Sequence, residues 1–244
     1  MTAGNCIEYV DLIHPLLASA AGRKAAARQP WLFWDGPIRT NVYIDGFNLY
    51  YRALRGTPYR WLDIGKLAGF LLSRHDIARI RYFTAIVANR PSDPTQAQRQ
   101  QAYLRALKTI PDLTIHYGHL LAKTKRRPLA QPPRTGPRTV EILDTEEKGS
   151  DVNLASYLLL DGFEDEYETA VVISNDSDLQ LPIRMARTRL AKEVGVFDPS
   201  RRRSFELHSA ASWYRPLREG PLRASLFPDT LSDAQGTITK PPGW

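Results

Sequence analysis

Only one cysteine, Cys6, occurs among the 244 residues. A lone thiol makes no intramolecular disulfide, and no Cys/His spacing suits a zinc site, so neither kind of staple is available. One free thiol suits a reducing cytoplasm, which is the expected location. No apolar run approaches the roughly 18 residues a membrane helix needs, so no membrane partner is expected. No secretory signal is expected either. Glu8 and Asp11 precede the first apolar stretch, and Arg23, Lys24 and Arg28 follow it, the reverse of the required order. There is no G-x-x-x-x-G-K-S/T loop and no G-x-G-x-x-G, which argues against a P-loop NTPase and a dinucleotide enzyme.

Positive charge, by contrast, is in excess. Lys and Arg outnumber Asp and Glu by 33 to 26, giving a net charge of +7, and the pI is about 9.6. Such an excess favours polyanionic partners, nucleic acid foremost, through counterion release. The length allows one large domain with its own core.

Residues 1–36 read as an N-terminal extension, peripheral or partly disordered. Residues 7–21 have helical character interrupted by Pro15. The extension is either an accessory helix or an upstream over-extension of the reading frame. Regular patterning begins at Thr40. Short apolar runs at 41–45, 80–87, 113–119, 139–143, 169–174 and 193–197 predict strands. Helical patterns at 47–54, 64–74, 94–108, 150–160, 177–190 and 207–214 fall between or after them. Asp63 is the expected cap of the second helix and Ser150 of the fourth. Strands alternating with helices predict an α/β fold, doubly wound, with a mainly parallel sheet and helices on both faces. The domain is expected over 37–215, with 216–244 a surface tail rich in Pro, Gly and Ser.

In such a fold, ligands sit at the carboxyl ends of the strands, near the switch in strand order. Asp45 ends the first strand. Asp176 and Asp178 follow the buried strand 169–174, and Asp151 opens a helix just after the acidic run 141–147. Taken singly, each is explained as a turn residue or helix cap. Together, four carboxylates from three segments could meet at one point. Two like charges about 4 Å apart repel by about 4 kcal/mol at an effective dielectric near 20, so a cluster calls for protons or a cation. All-oxygen donors select hard ions such as Mg²⁺ or Mn²⁺.

Three segments carry a resemblance. Residues 41–50 (NVYIDGFNLY), 147–153 (EKGSDVN) and 174–179 (SNDSDL) resemble the signature segments of NYN domains, in that family's order. These domains belong to the PIN-like nuclease superfamily. The likeness covers about residues 38–200. It implies a doubly wound fold, metal-dependent nuclease activity, and Mg²⁺ or Mn²⁺ held by Asp45, Asp151, Asp176 and Asp178. It also implies roles for Asn48 and Lys148. Asn175 stands where the family often has Gly, and Leu179 where it often has Phe; neither change removes a ligand.

Other positions carry two readings. Asn48 either orients water or phosphate, or caps a helix. Lys148 contacts phosphate or pairs with Glu146 or Glu147. Ser174 and Ser177 flank Asp176 and either support a ligand carboxylate or cap. Residues 123–138 read as a Pro-rich basic loop with Lys123, Lys125, Arg126, Arg127, Arg134 and Arg138 and no acid. The loop either clasps a nucleic-acid backbone or is a solvated linker. Arg201, Arg202 and Arg203 form a second basic patch with the same ambiguity. His116 and His119 read as surface or packing residues, and residues 161–168 as a solvated loop. The expected function is phosphodiester hydrolysis, as an endoribonuclease acting on RNA. The alternatives are a catalytically inactive RNA-binding module and a nucleotide-sugar transferase using the D-x-D of Asp176 and Asp178, which gives Asp45 no role.

Overall fold

The structure, a computed structural model, describes residues 37–244; the extension 1–36 and the helix expected there lie outside the described residues. The chain runs β1 (Ile38–Asp45), α1 (Gly46–Leu49), a π turn (Tyr50–Leu54), α2 (Ile64–Leu71), β2 (His75–Thr84), α3 (Gln96–Leu107) and β3 (Leu113–Tyr117). A hairpin follows, β4 (His119–Pro128) and β5 (Thr139–Lys148), then α4 (Ser150–Phe163) and β6 (Thr169–Ile173). A 3₁₀ turn (Ser177–Leu179) leads into α5 (Gln180–Arg189), β7 (Glu193–Asp198), α6 (Phe205–Ala210) and β8 (Trp213–Pro216). The chain closes with α7 (Glu219–Ala224), β9 (Thr230–Asp233) and β10 (Gly236–Thr239).

Six strands form one sheet in the order β3-β2-β1-β6-β7-β8, and every pairing in it is parallel. The chain winds outward from β1 in one direction, then restarts at β6 and winds in the other. The gap between the ends of β1 and β6 is therefore the switch point. Both strands are buried along nearly their whole length, and their side chains alternate between two cores. Val42, Ile44, Val171 and Ile173 join Trp61, Leu67, Leu104 and Leu107 on one face. Tyr43, Ala170 and Val172 join Leu154, Leu158, Leu179 and Ile183 on the other. Covering both faces with helices is what lets such strands read as unbroken apolar runs. The expected doubly wound α/β architecture is thus the one observed.

Several local expectations change. Residues 123–138 are not one basic loop. Residues 119–128 and 139–148 pair as an antiparallel hairpin, leaving only the intervening residues as its loop. Residues 207–214 are not a closing helix: α6 stops at Ala210, and Trp213 begins the edge strand β8. The segment after Pro216 is not a mere surface tail. Leu222, Phe227 and Ile238 are buried in the first core, and the Trp61 indole donates to the Pro228 carbonyl at 2.8 Å. Its Pro, Gly and Ser content signals turns, and the few apolar residues between them do the packing.

Residues 161–168 are a solvated loop only in part: residues 163–165 and Glu168 are exposed, while Asp161, Gly162 and Tyr167 are buried. Asp161 ends the inner face of α4 and is 1% exposed. It accepts two hydrogen bonds of 2.8 Å from the Arg81 guanidinium and one of 2.7 Å from the Tyr43 hydroxyl. A buried charge survives only when paired and hydrogen-bonded in this way. His116 lies in the same region, stacked on Phe83 with ring centroids 5.0 Å apart, a packing histidine as expected.

Candidate metal centre

Asp45 occupies the last position of β1, and the chain turns directly into α1. Its carboxylate caps that helix, accepting the Asn48 N–H at 2.9 Å, and its second oxygen accepts the Ser174 hydroxyl at 2.9 Å. The turn is possible because residue 46 is glycine. A Cβ there would fall 2.6 Å from the Tyr82 ring and 2.8 Å from the Phe83 carbonyl oxygen. Across the switch point, Asp176 caps the 3₁₀ turn, accepting the Asp178 N–H at 3.0 Å. Asp176 also donates its own N–H to the Ser174 hydroxyl at 3.0 Å. Ser174 thus joins the two carboxylate loops directly.

Asp151 enters from a third direction, in the first turn of α4. Ser150 is not the cap of this helix. Gly149 takes that position with φ of 94°, a left-handed conformation that glycine adopts without strain. Before it, Glu147 accepts the Ser150 N–H at 3.0 Å.

The result is a convergence. One carboxylate oxygen each from Asp45, Asp151 and Asp176 lies within 4.8 Å of the others. At that separation each fully charged pair repels by about 3 kcal/mol at an effective dielectric near 20. The titration of the site reflects this. Burial first, then the charges of Asp176 and Glu147, push Asp45 up to about 6 despite its two hydrogen bonds. Burial, then the charges of Asp45 and Asp176, push Asp151 up to about 7. A divalent cation would relieve the repulsion, and the donor set, hard oxygen throughout, fits one.

Asp178 is not part of this tight trio. It is exposed, its backbone N–H bonds to Asp176, and its charge acts on Asp151 from outside. Asn48 bridges two of the signature segments. Its side-chain oxygen accepts the Asn175 N–H at 3.0 Å, which pins the third signature segment to α1. Asn175 in turn donates to Asp198 at the end of β7, at 2.9 Å. The residue that differs from the family's usual Gly therefore ties a third strand end to the site. Glu147 was overlooked as a site residue in the sequence, where it reads as one member of an acidic run. It lines the same open cavity of about 410 Å³ as Asp45, Asn48, Asp151 and Asp176. The signal was its place two residues before the Gly149 turn that opens α4.

Basic and aromatic residues, Phe47, Tyr51, Arg52 and Arg55, also line the cavity. Nothing in the sequence pattern around either arginine marks it as part of a site. The hairpin cations are divided. Lys125 is 2.8 Å from Asp144 and also paired with Glu146, Arg127 is 3.4 Å from Asp144, and Lys148 is 3.6 Å from Glu146. The acids that neutralise them come from β5, which faces β4. Lys123, Arg126, Arg134 and Arg138 make no ion pair among the described residues.

A parallel doubly wound sheet with an acidic trio at its switch point defines a nuclease-like α/β fold with a candidate metal centre. The chain belongs to the NYN domain family, whose sequence pattern matches residues 39–217. It is also 31% identical, over 239 residues, to 6-hydroxy-3-succinoylpyridine 3-monooxygenase of Pseudomonas putida, covering 85% of this chain and 76% of that protein. A protein of unknown function from Vibrio parahaemolyticus shares the fold. Its TM-score is 0.51 at 16% identity, over 79% of this chain and 98% of that one. Among the described residues no helix is long and apolar enough to cross a membrane.

Proposed function

We propose that this protein hydrolyses phosphodiester bonds in nucleic acid with Mg²⁺ or Mn²⁺, as an endoribonuclease of the cytoplasm. The observation that carries this reading is the meeting of Asp45, Asp151 and Asp176 within 4.8 Å at the switch point. A divalent ion bound there supplies Lewis-acid activation of water and neutralises charge developing on phosphate. Asp45 and Asp176 hold fixed orientations because Ser174 and the Asn48 and Asp178 N–H groups bond to them. Asp151 and Glu147 line the same cavity, and Asp178 is exposed outside the trio. Arg52 and Arg55 line the same cavity as the acids, so a backbone phosphate bound there would meet positive charge. Arg126, Arg134 and Arg138, with Lys123, extend that charge along the hairpin.

The test is cleavage of labelled RNA and DNA by the full chain with Mn²⁺ or with EDTA, beside Asp176→Asn. Loss of one fixed electrostatic group typically lowers the rate by about 10²–10³. The variant is expected to lose at least that much while melting no lower than the parent in EDTA. RNA binding without any cleavage would instead identify an inactive RNA-binding module. Full activity of a folded Asp176→Asn protein would remove Asp176 from the site.

A second reading follows from the Pseudomonas relative, which is named a monooxygenase of 6-hydroxy-3-succinoylpyridine. One observation favours it: a second cavity, lined by Phe47, Tyr50, Tyr82 and Tyr103, suits a single aromatic ring. Aerobic incubation with that pyridine and a reductant, followed by mass spectrometry, checks for loss of the pyridine and for a hydroxylated ring product from which the C3 succinoyl chain has been displaced by oxygen.

A further inference from the structure

We infer that the aromatic cavity behind α1 is a binding subsite for one planar heteroaromatic ring, a single nucleobase of the strand whose phosphate lies at the acidic trio. The inference rests on the phosphodiester reading of that trio. The cavity encloses about 90 Å³ and shares two wall residues, Phe47 and Tyr51, with the acidic cavity. One water needs about 10–15 Å³ of such space, so there is room for several water-sized groups, the scale of a six-membered ring. Phe47 and Tyr51 are stacked, with centroids 6.2 Å apart and planes 14° from parallel. The Arg55 guanidinium, which lines the acidic cavity, lies 5.5 Å from the centre of the Tyr51 ring. Aromatic faces interleaved with guanidinium groups are how proteins hold an unstacked base next to its charged backbone.

The polar chemistry of the cavity points the same way. Most of its hydrogen-bonding groups are already engaged. The Gln100 side chain bonds to the Val87 N–H and the Ala85 carbonyl, each at 2.8 Å, and the Tyr103 hydroxyl donates to the Leu62 carbonyl at 2.9 Å. Donors remain free, among them the Trp244 indole N–H, which belongs to a lining residue and is buried without a hydrogen-bond partner among the described residues, and the Tyr82 hydroxyl, which accepts and donates no hydrogen bond there. A buried donor left unpaired is unfavourable, and the edge of a base carries the carbonyl or ring nitrogen that would pair with it. Tyr82 also packs against the backbone of Gly46, the neighbour of Asp45, so a ring there sits next to the acidic trio.

The experiment measures binding without catalysis. The full chain is titrated in EDTA and in Mn²⁺ with AMP, UMP and ribose 5-phosphate, and with 2-hydroxypyridine as a free ring, following tryptophan fluorescence and calorimetry. The mononucleotides are expected to bind at least about tenfold tighter than ribose 5-phosphate, the value of one stacked base. Mn²⁺ should tighten the nucleotides and leave 2-hydroxypyridine unchanged. Val87→Trp, which fills the cavity from its rim, should abolish the preference for a base. Tyr82→Phe, which keeps the ring and removes the hydroxyl, should weaken mononucleotides severalfold with no change in melting temperature. Equal binding of nucleotides and ribose 5-phosphate, or indifference to Val87→Trp, would overturn the subsite. Binding of 2-hydroxypyridine as tight as the nucleotides would assign the cavity to a free ring and overturn the nucleobase. Absence of RNA cleavage with base-dependent binding intact would sink the nuclease reading alone.

Discussion

Replacing Asp45 with Asn separates a metal ligand from a helix cap, because the two roles predict opposite changes. In the metal-free protein the Asp45 carboxyl titrates at about 6 rather than 3.8. The raised value means the folded state resists ionisation. Stability from the protonated form is complete below about pH 4 and is lost as pH rises through about 6. At one unit per 1.36 kcal/mol, the ionised side chain costs the fold about 3 kcal/mol at neutral pH. Asn removes that charge. Its oxygen still accepts the Asn48 N–H, while its amide must donate to Ser174 where the carboxylate accepted. Allowing about 1 kcal/mol for the poorer bond, Asp45→Asn gains about 1–2 kcal/mol in EDTA. For a domain of this size that is a rise of roughly 2–8 °C in melting temperature. Mn²⁺, which should raise the parent's melting temperature, should barely move the variant. The assay is a thermal melt of both proteins in EDTA and across a Mn²⁺ series. A variant that melts below its parent in EDTA, yet gains as much from Mn²⁺, would refute the reasoning and leave Asp45 as a cap.

Three further outcomes follow from the same geometry. Because Asp45 and Asp151 are raised to about 6 and about 7, they carry protons near neutral pH that a cation must displace. Calorimetric Mn²⁺ affinity should therefore rise between about pH 5.5 and 7.5, by up to about tenfold per unit for each proton released, and a flat profile would contradict the raised values. Asp161→Asn leaves the buried Arg81 guanidinium without its charge partner, and chemical denaturation should show a loss of about 3–5 kcal/mol; a loss under 1 kcal/mol would mean Arg81 finds water. Changing Arg126 and Arg134 to Ala should reduce the salt slope of RNA binding by about one unit per lost contact, whereas Lys125→Ala, already paired with Asp144 and Glu146, should leave it unchanged.

The central strands were legible in the sequence because they are buried on both faces. Residues 42–44 and 170–173 are apolar runs, and each leads into a polar strand end that the fold turns into a site. Three of the four acidic positions were also legible, since strand ends and helix starts are where such folds gather ligands. What was not legible depended on pairing between distant segments. The basic stretch after His119 carries no acid of its own, and its partners Asp144 and Glu146 come from a strand that only tertiary structure lays beside it. Asp161 read as solvated because its flanks are acidic, while its partner Arg81 lies 80 residues away. The tail after Pro216 hid its buried residues among turn formers, and Asp178 looked equivalent to Asp176 until the 3₁₀ turn set them apart.

The switch point also fixes when in the life of the chain the acidic trio can exist. Ser174 and Asp45 are 129 residues apart, yet they are directly bonded across neighbouring strands. During synthesis β1, β2 and β3 emerge first and can pair among themselves, leaving one edge of β1 open and Asp45 without its companions. Asp176 arrives only when β6 closes that edge, a long-range parallel pairing of the kind that comes late and slowly in folding. Nascent or half-folded chains therefore hold no complete acidic trio, and cation affinity becomes a direct readout of the closure of β1 by β6.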